Sequence, residues 1–166
     1  MLIAIGGLPG VGKTTAAREL AGRLRAAHLR IDAFETALVR TGVVRSAAEV
    51  GPAGYGLALA AADTCLAAGT DVVVDAVFPV AASREPWGEL ARRLGTTVRW
   101  VRLVCGDPVE HRRRVEARTA DLPGHLVPTW ADVLAAAEGQ DDWAERHDVV
   151  DTAGDDAVTA VLRLVS

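Results

Sequence analysis

The run Gly7-Leu8-Pro9-Gly10-Val11-Gly12-Lys13-Thr14 has the spacing G-x-x-x-x-G-K-[ST]. Glycines so placed let the backbone curl until successive N–H groups point inward. At a helix N-terminus, where the dipole also favours negative charge, that curl is an anion site. The spacing therefore predicts a phosphate cradle contributed by Gly7, Leu8, Pro9, Gly10, Val11, Gly12, Lys13, Thr14 and Thr15, with Lys13 reaching the β- and γ-phosphates of a nucleotide and the Thr14 hydroxyl in a Mg²⁺ shell. The competing explanation is a glycine-rich turn that precedes Lys-Thr by chance. Context argues against it: the apolar run Leu2-Ile3-Ala4-Ile5 precedes the loop and a helix-like segment, 15–27, follows. Lys13 is moreover the only lysine in the chain, every other basic residue being arginine. A compact, mobile ammonium survives at the one position where phosphate needs it.

Phosphoryl transfer also needs a metal, a cation on the moving phosphoryl group and a group that orients the acceptor. Asp32 follows a short apolar stretch and Asp75 follows three valines, so both carboxylates are expected at strand ends, in the same crevice as the loop. One would orient or deprotonate an acceptor hydroxyl, and the other would hold Mg²⁺. The alternative for Asp32 is an N-cap for a helix starting at Ala33. For Asp75, burial after Val72-Val73-Val74 is costly unless it meets water, metal or a donor. Arg112, Arg113, Arg114 and Arg118 are the candidate cations. Arg114 and Arg118 share a helix face and run into the Pro/Gly loop 120–128, which reads as a lid, whereas Arg112 and Arg113 read as a solvated face.

These residues need elements to position them. Strands are expected at 2–6, 29–31, 70–75, 98–104 and 147–151. Helices are expected at 13–27, 33–40, 53–68, from Ser83 through Leu94, from Pro108 behind an Asp107 cap, from Thr129-x-x-Asp132, and at 155–165. The 53–68 helix is apolar nearly all round and is expected to be covered on most sides. Strands alternating with helices predict a three-layer α/β fold with a mainly parallel five-stranded sheet and a small helical lid near 112–130. Ligands in such sheets sit at the carboxyl ends of the strands, which draws attention to Asp32, to Asp75 through Phe78 and to 151–154.

At 166 residues, with 50% hydrophobic and 24% charged residues, the chain reads as one globular domain spanning 1–166. A net charge of −4 offers no broad footprint for nucleic acid or an anionic membrane. The two cysteines lack metal or disulfide spacing and read as buried, reduced thiols; with a strand starting at residue 2 and no apolar span, the cytoplasm is the expected compartment. The four histidines show no metal spacing, although His125 falls in the lid loop.

Taken as a set, the P-loop, Asp32 in Ile-Asp-Ala-Phe-Glu, the aspartate-ending third strand, the arginine-rich helix and the late Val-Val-Asp-Thr resemble the small P-loop kinases, which include gluconate, shikimate and adenylylsulfate kinases. Val72 through Phe78 followed by Ala81 through Trp87 is similar to the chloramphenicol phosphotransferase-like proteins in particular. The resemblance spans essentially the whole chain. It implies a P-loop NTPase fold and an ATP- and Mg²⁺-dependent kinase that phosphorylates a hydroxyl of a small molecule. It implies catalytic roles for Lys13, Asp32, Arg114 and Arg118, metal binding by Thr14 and Asp75, an acceptor site that includes Asp32, Asp75 and Phe78, and a nucleotide site completed by Arg118 and by Thr152, Ala153 and Gly154 near the adenine. Arg40, which follows Asp32, is a further acceptor-site candidate by its position, with a surface role as the alternative. One departure is Asp75-Ala76, where the phosphotransferases carry two adjacent acidic residues. A GTPase is excluded, because Asp151-Thr-Ala-Gly154 lies too late in the chain for a switch and the sequence has no asparagine for N-K-x-D. A nucleoside or nucleotide kinase, with Arg40 and Arg45 on an acceptor phosphate, is the nearer alternative. A regulatory protein that binds ATP without transferring phosphate is the more distant one.

Overall fold

The computed structural model describes residues 1–124, 126–154 and 157–165. His125 and Asp155 lie outside the described residues, as does the side chain of Val165. Five strands, β1 (Leu2–Gly6), β2 (Ala27–Arg30), β3 (Val72–Asp75), β4 (Val98–Val104) and β5 (His147–Asp151), form one sheet of order β2-β3-β1-β4-β5. Every pairing is parallel. Helices alternate with them: α1 (Lys13–Leu24), α2 (Ile31–Arg40), α3 (Ala53–Ala67), α4 (Ala81–Arg93), α5 (Pro108–Glu116), α6 (Trp130–Glu138) and α7 (Ala157–Val165).

The period-two alternation of β1 divides the core. Ile3 and Ile5 face α1 and α7 with Val73, Val101, Leu103 and Val150, while Leu2 and Ala4 face α3 and α4 with Val72, Val74 and Trp100. β1 and β3 are buried along their whole length, as central parallel strands require. The expected α/β P-loop architecture is therefore present, with all pairs parallel.

Three local expectations change. Helix α2 begins at Ile31, so Asp32 does not end the second strand but sits in the first turn of the helix, behind Arg30 at the N-cap. A carboxylate there is favoured by the dipole and stays at the strand's carboxyl end. Helix α3 is not covered on most sides. Only Gly54, Ala58 and Ala62 are buried, at four-residue spacing, and Leu57 is 44% exposed. Its exposed residues are Ala53, Gly56, Leu57, Ala60, Thr64 and Ala67, mostly small side chains that water tolerates at little cost, so apolar composition overstated burial. The lid is not helical in itself: 112–116 belong to α5, and the described residues between α5 and α6 hold no helix. Pro123, Gly124 and Pro128 break the backbone there. Both cysteines are free and only partly buried.

Candidate active site

The loop between β1 and α1 turns on its glycines. Gly7 has φ 137°, and a Cβ there would lie 2.2 Å from the Leu103 carbonyl oxygen, so β4 leaves room for hydrogen only. Gly12, the N-cap of α1, has φ 92°. It needs the left-handed region that L side chains avoid, and it aims the first N–H groups of α1 outward. Lys13 is the first helical residue, and its Nζ donates to the Leu8 carbonyl at 2.8 Å. Burial pulls its pKa down to about 8, against the opposing pull of Asp32 and Asp75 and with help from Arg118 and Arg30. His111, buried on α5, braces the loop from outside through Nε2 at 2.8 Å from the Pro9 carbonyl, and its ring meets Trp130 edge-on.

The carboxyl ends of three adjacent strands meet at one level. Ile5 and Arg30 are both in register with Asp75. Asp75 is 2% exposed, and its two oxygens have separate partners. Oδ2 accepts from the Thr14 hydroxyl at 2.7 Å, and Oδ1 lies 2.6 Å from His28 Nε2. A threonine hydroxyl beside an oriented carboxylate is a hard-oxygen donor pair of the kind Mg²⁺ accepts, with its remaining ligands supplied by water and phosphate. Among the described residues no cluster of three His, Cys, Asp or Glu forms an all-protein metal cage.

A cavity of about 310 Å³ opens over these strand ends. Pro9, Gly10, Gly12, Lys13, Thr14 and Thr15 form its floor, Asp32 and Asp75 one wall, and Arg114 and Arg118 another. The structure thus brings together the loop, both expected aspartates and both expected arginines. Arg114 is committed on two sides: Nε donates to Glu110, while Nη1 and Nη2 donate to the Thr152 hydroxyl and carbonyl at 3.1 and 2.9 Å. That link ties Thr152 to a cavity residue, but Thr152, Ala153 and Gly154, all expected at the nucleotide site, do not themselves line the cavity. Arg112 and Arg113 pair outward with Glu116 and Glu110.

Other expected residues lie elsewhere. Gly7 and Val11 are buried beneath the loop, and Leu8 acts through its carbonyl. Phe78 is fully buried, in edge-to-face contact with Tyr55, Trp87, Trp100 and Trp143, so it is a core residue and does not line the cavity. Arg40 is exposed in the last turn of α2, outside the cavity. Conversely, Arg18, Arg30, Thr119 and Asp121 line it unforeseen, and His28 supports it through Asp75. A clue was present for two of them: His28 and Arg30 are charged or titratable residues inside a strand of a buried parallel sheet, where such groups need a partner.

Comparison with known proteins accords with this geometry. The model of the AAA_33 family, described as an AAA domain, matches residues 2–136. The chain belongs to the AAA_33 family. The matched span of this AAA_33 domain holds the loop, Asp32, Asp75, Arg114 and Arg118 and stops before β5. A protein of Chloroflexus aurantiacus j-10-fl, which its name proposes to be a kinase, superposes on it with a TM-score of 0.79 at 24% identity, over 99% of this chain and 95% of the other. A gluconokinase from Sinorhizobium meliloti 1021 gives 0.64 at 22%, over 98% and 87%. Kti12 from Chaetomium thermophilum, in complex with ADP-AlF3, gives 0.68 at 21%, over 97% and 94%. At these identities the likeness is one of fold. No curated protein matches this chain. Among the described residues no helix is long and apolar enough to cross a membrane.

Proposed function

We propose that this protein is an ATP- and Mg²⁺-dependent kinase that transfers the γ-phosphoryl group to a hydroxyl of a small molecule in the cytoplasm, acting as one domain without nucleic-acid or membrane partners. The observation that carries the reading is the convergence on one cavity of a phosphate loop, the Thr14–Asp75 pair, an acidic residue at the next strand end and two arginines. Fold-mates that include a gluconokinase and an ADP-AlF3 complex support the same ligand class.

In this reading the loop N–H groups hold the β- and γ-phosphates, and Lys13 neutralises charge as the β–γ bridging bond lengthens. Thr14 and Asp75 would hold Mg²⁺, which would supply electrostatic stabilisation of the phosphate oxygens. His28 fixes the orientation of Asp75 from behind. Arg118 stands at the lid hinge and Arg114 beside it, so lid closure brings a guanidinium onto the migrating group and excludes water. Asp32 accepts a hydrogen bond from the acceptor hydroxyl, aims its oxygen at the phosphorus and receives the proton as the new P–O bond forms. The products are ADP and a phosphomonoester. Thr152, Ala153 and Gly154, anchored by Arg114, are assigned to the adenine side.

The test is transfer of labelled γ-phosphate from ATP to pooled sugars, sugar acids, nucleosides and antibiotic-like alcohols. Label must enter an acid-stable ester with the wild type, and it must not do so with Lys13→Ala. Wild-type activity in Lys13→Ala would sink the loop assignment. Release of inorganic phosphate alone would mean that the acceptor is missing from the pools, whereas ATP bound without any turnover would point instead to a nucleotide-binding regulator.

A further inference from the structure

We propose that Arg30 is a positioning residue that couples the lid to the acceptor aspartate, by sharing one guanidinium between Asp121 and Asp32. This rests on the reading of Asp32 given above. Arg30 ends β2, and its side chain is only 8% exposed. Nη1 and Nη2 fork onto the Asp121 carboxylate at 2.5 and 3.1 Å, while Nη2 also reaches Asp32 Oδ2 at 3.2 Å. Asp121 belongs to the loop between α5 and α6, three residues beyond Arg118. Arg18 of α1 adds a weaker contact to the same carboxylate at 3.8 Å. The hydrogen bond from Arg30 holds the Asp121 carboxyl below the usual range, so the pair is ionic throughout neutral pH.

The geometry makes the sharing consequential. A buried guanidinium cannot stay unpaired. With the lid down, its two-pronged bond goes to Asp121, and Arg30 gives Asp32 only one longer contact. With the lid lifted, Asp121 departs and the fork falls on Asp32, whose oxygens are then engaged by a fixed cation instead of an acceptor hydroxyl. Lid closure thus draws the Arg30 fork off Asp32 by the same movement that brings Arg118 over the phosphates. A lysine cannot replace the arginine, because one ammonium lacks the planar fork that serves two carboxylates at once.

The test uses full-length protein with Asp121→Asn, Arg30→Gln and Arg30→Lys, and it has two readouts. The first is tryptic cleavage after Arg118, which reports lid docking and needs no acceptor. The second is steady-state transfer. The lid contact is a charge-assisted bidentate pair, so its loss should speed cleavage by about tenfold in all three variants. Nucleotide affinity should stay within about threefold, while kcat for transfer falls about tenfold or more with a smaller change in acceptor KM. Unchanged cleavage in Asp121→Asn, an exposed substitution that does not threaten folding, overturns the latch. Wild-type kcat in Arg30→Lys overturns the positioning role. A wild-type protein that phosphorylates no acceptor removes the proposed function and the Asp32 half of the inference with it, whereas the proteolysis result judges the latch on its own.

Discussion

The pKa of Lys13 offers an unusually clean perturbation, because the chain has no other lysine. Burial lowers it from 10.5 to about 8, although Asp32 and Asp75 pull the other way. A triphosphate placed on the loop adds negative charge beside the ammonium and must push the value back up. Nucleotide therefore binds the protonated form. With a free-state pKa of about 8, roughly three quarters of Lys13 is neutral at pH 8.5, so each binding event should take up about 0.75 proton. By the same linkage the dissociation constant for ATP·Mg should rise about 25-fold between pH 7.5 and 9.5, provided the bound-state pKa stays above that range. The assay is direct: ¹³C-lysine labelling yields one ¹³Cε resonance, whose titration is followed with and without nucleotide. Calorimetry in buffers of different ionisation heat counts the proton, and Lys13→Met serves as the control. The inflection should fall near 8 without nucleotide and move above 9.5 with it. An inflection near 10.4 in the nucleotide-free protein, or proton uptake that survives in Lys13→Met, would refute the reasoning.

Further expectations follow from other contacts. Gly7→Ala places a Cβ 2.2 Å from a backbone oxygen at φ 137°, so urea denaturation should show a loss of roughly 3 kcal/mol or more. Glu35 has its pKa raised to about 7, first by burial and then by Asp32. The folded state thus holds a proton that the unfolded chain releases near pH 4.5, and wild-type stability declines as pH rises from there through 7. Glu35→Gln should therefore be the more stable protein at pH 8, by up to about 2 kcal/mol after allowance for partial exposure, and lose that advantage by pH 4; a difference that is the same at both pH values would contradict this. Arg84, 1% exposed, donates to Glu145 and to the Phe78 and Asp142 carbonyls and covers the Trp143 ring. Arg84→Met should cost about 3 kcal/mol and shift tryptophan emission to the red.

The local spacing of the loop and the apolar runs made the fold legible, and with it the meeting of the loop, Asp32 and Asp75 at one cavity. Gly7 through Thr14 reads as a phosphate cradle because each residue there answers a backbone requirement, and β1 and β3 read as central strands because Leu2 through Ile5 and Val72 through Val74 are unbroken. Asp75 was legible for the same reason: a carboxylate after three valines demands a partner, and Thr14 and His28 are found there. The acceptor half was less legible, because its contacts are long-range. Arg30 and Asp121 are 91 residues apart, and no spacing rule joins them. Phe78 misled by its position, since it follows the third strand as a ligand contact would. Its backbone takes φ 51°, which goes with a ring turned into the aromatic core. Arg40 misled through its charge, which helix α2 spends on solvent.

The most direct measurement of the central claim is ³¹P NMR of the protein with ATP·Mg and pooled hydroxylated compounds, run beside Asp32→Ala. The account predicts a new phosphomonoester resonance that grows as the γ-phosphate signal declines, and its loss in Asp32→Ala while that variant still binds ATP. Growth of inorganic phosphate alone, at the same rate in both proteins, would contradict it.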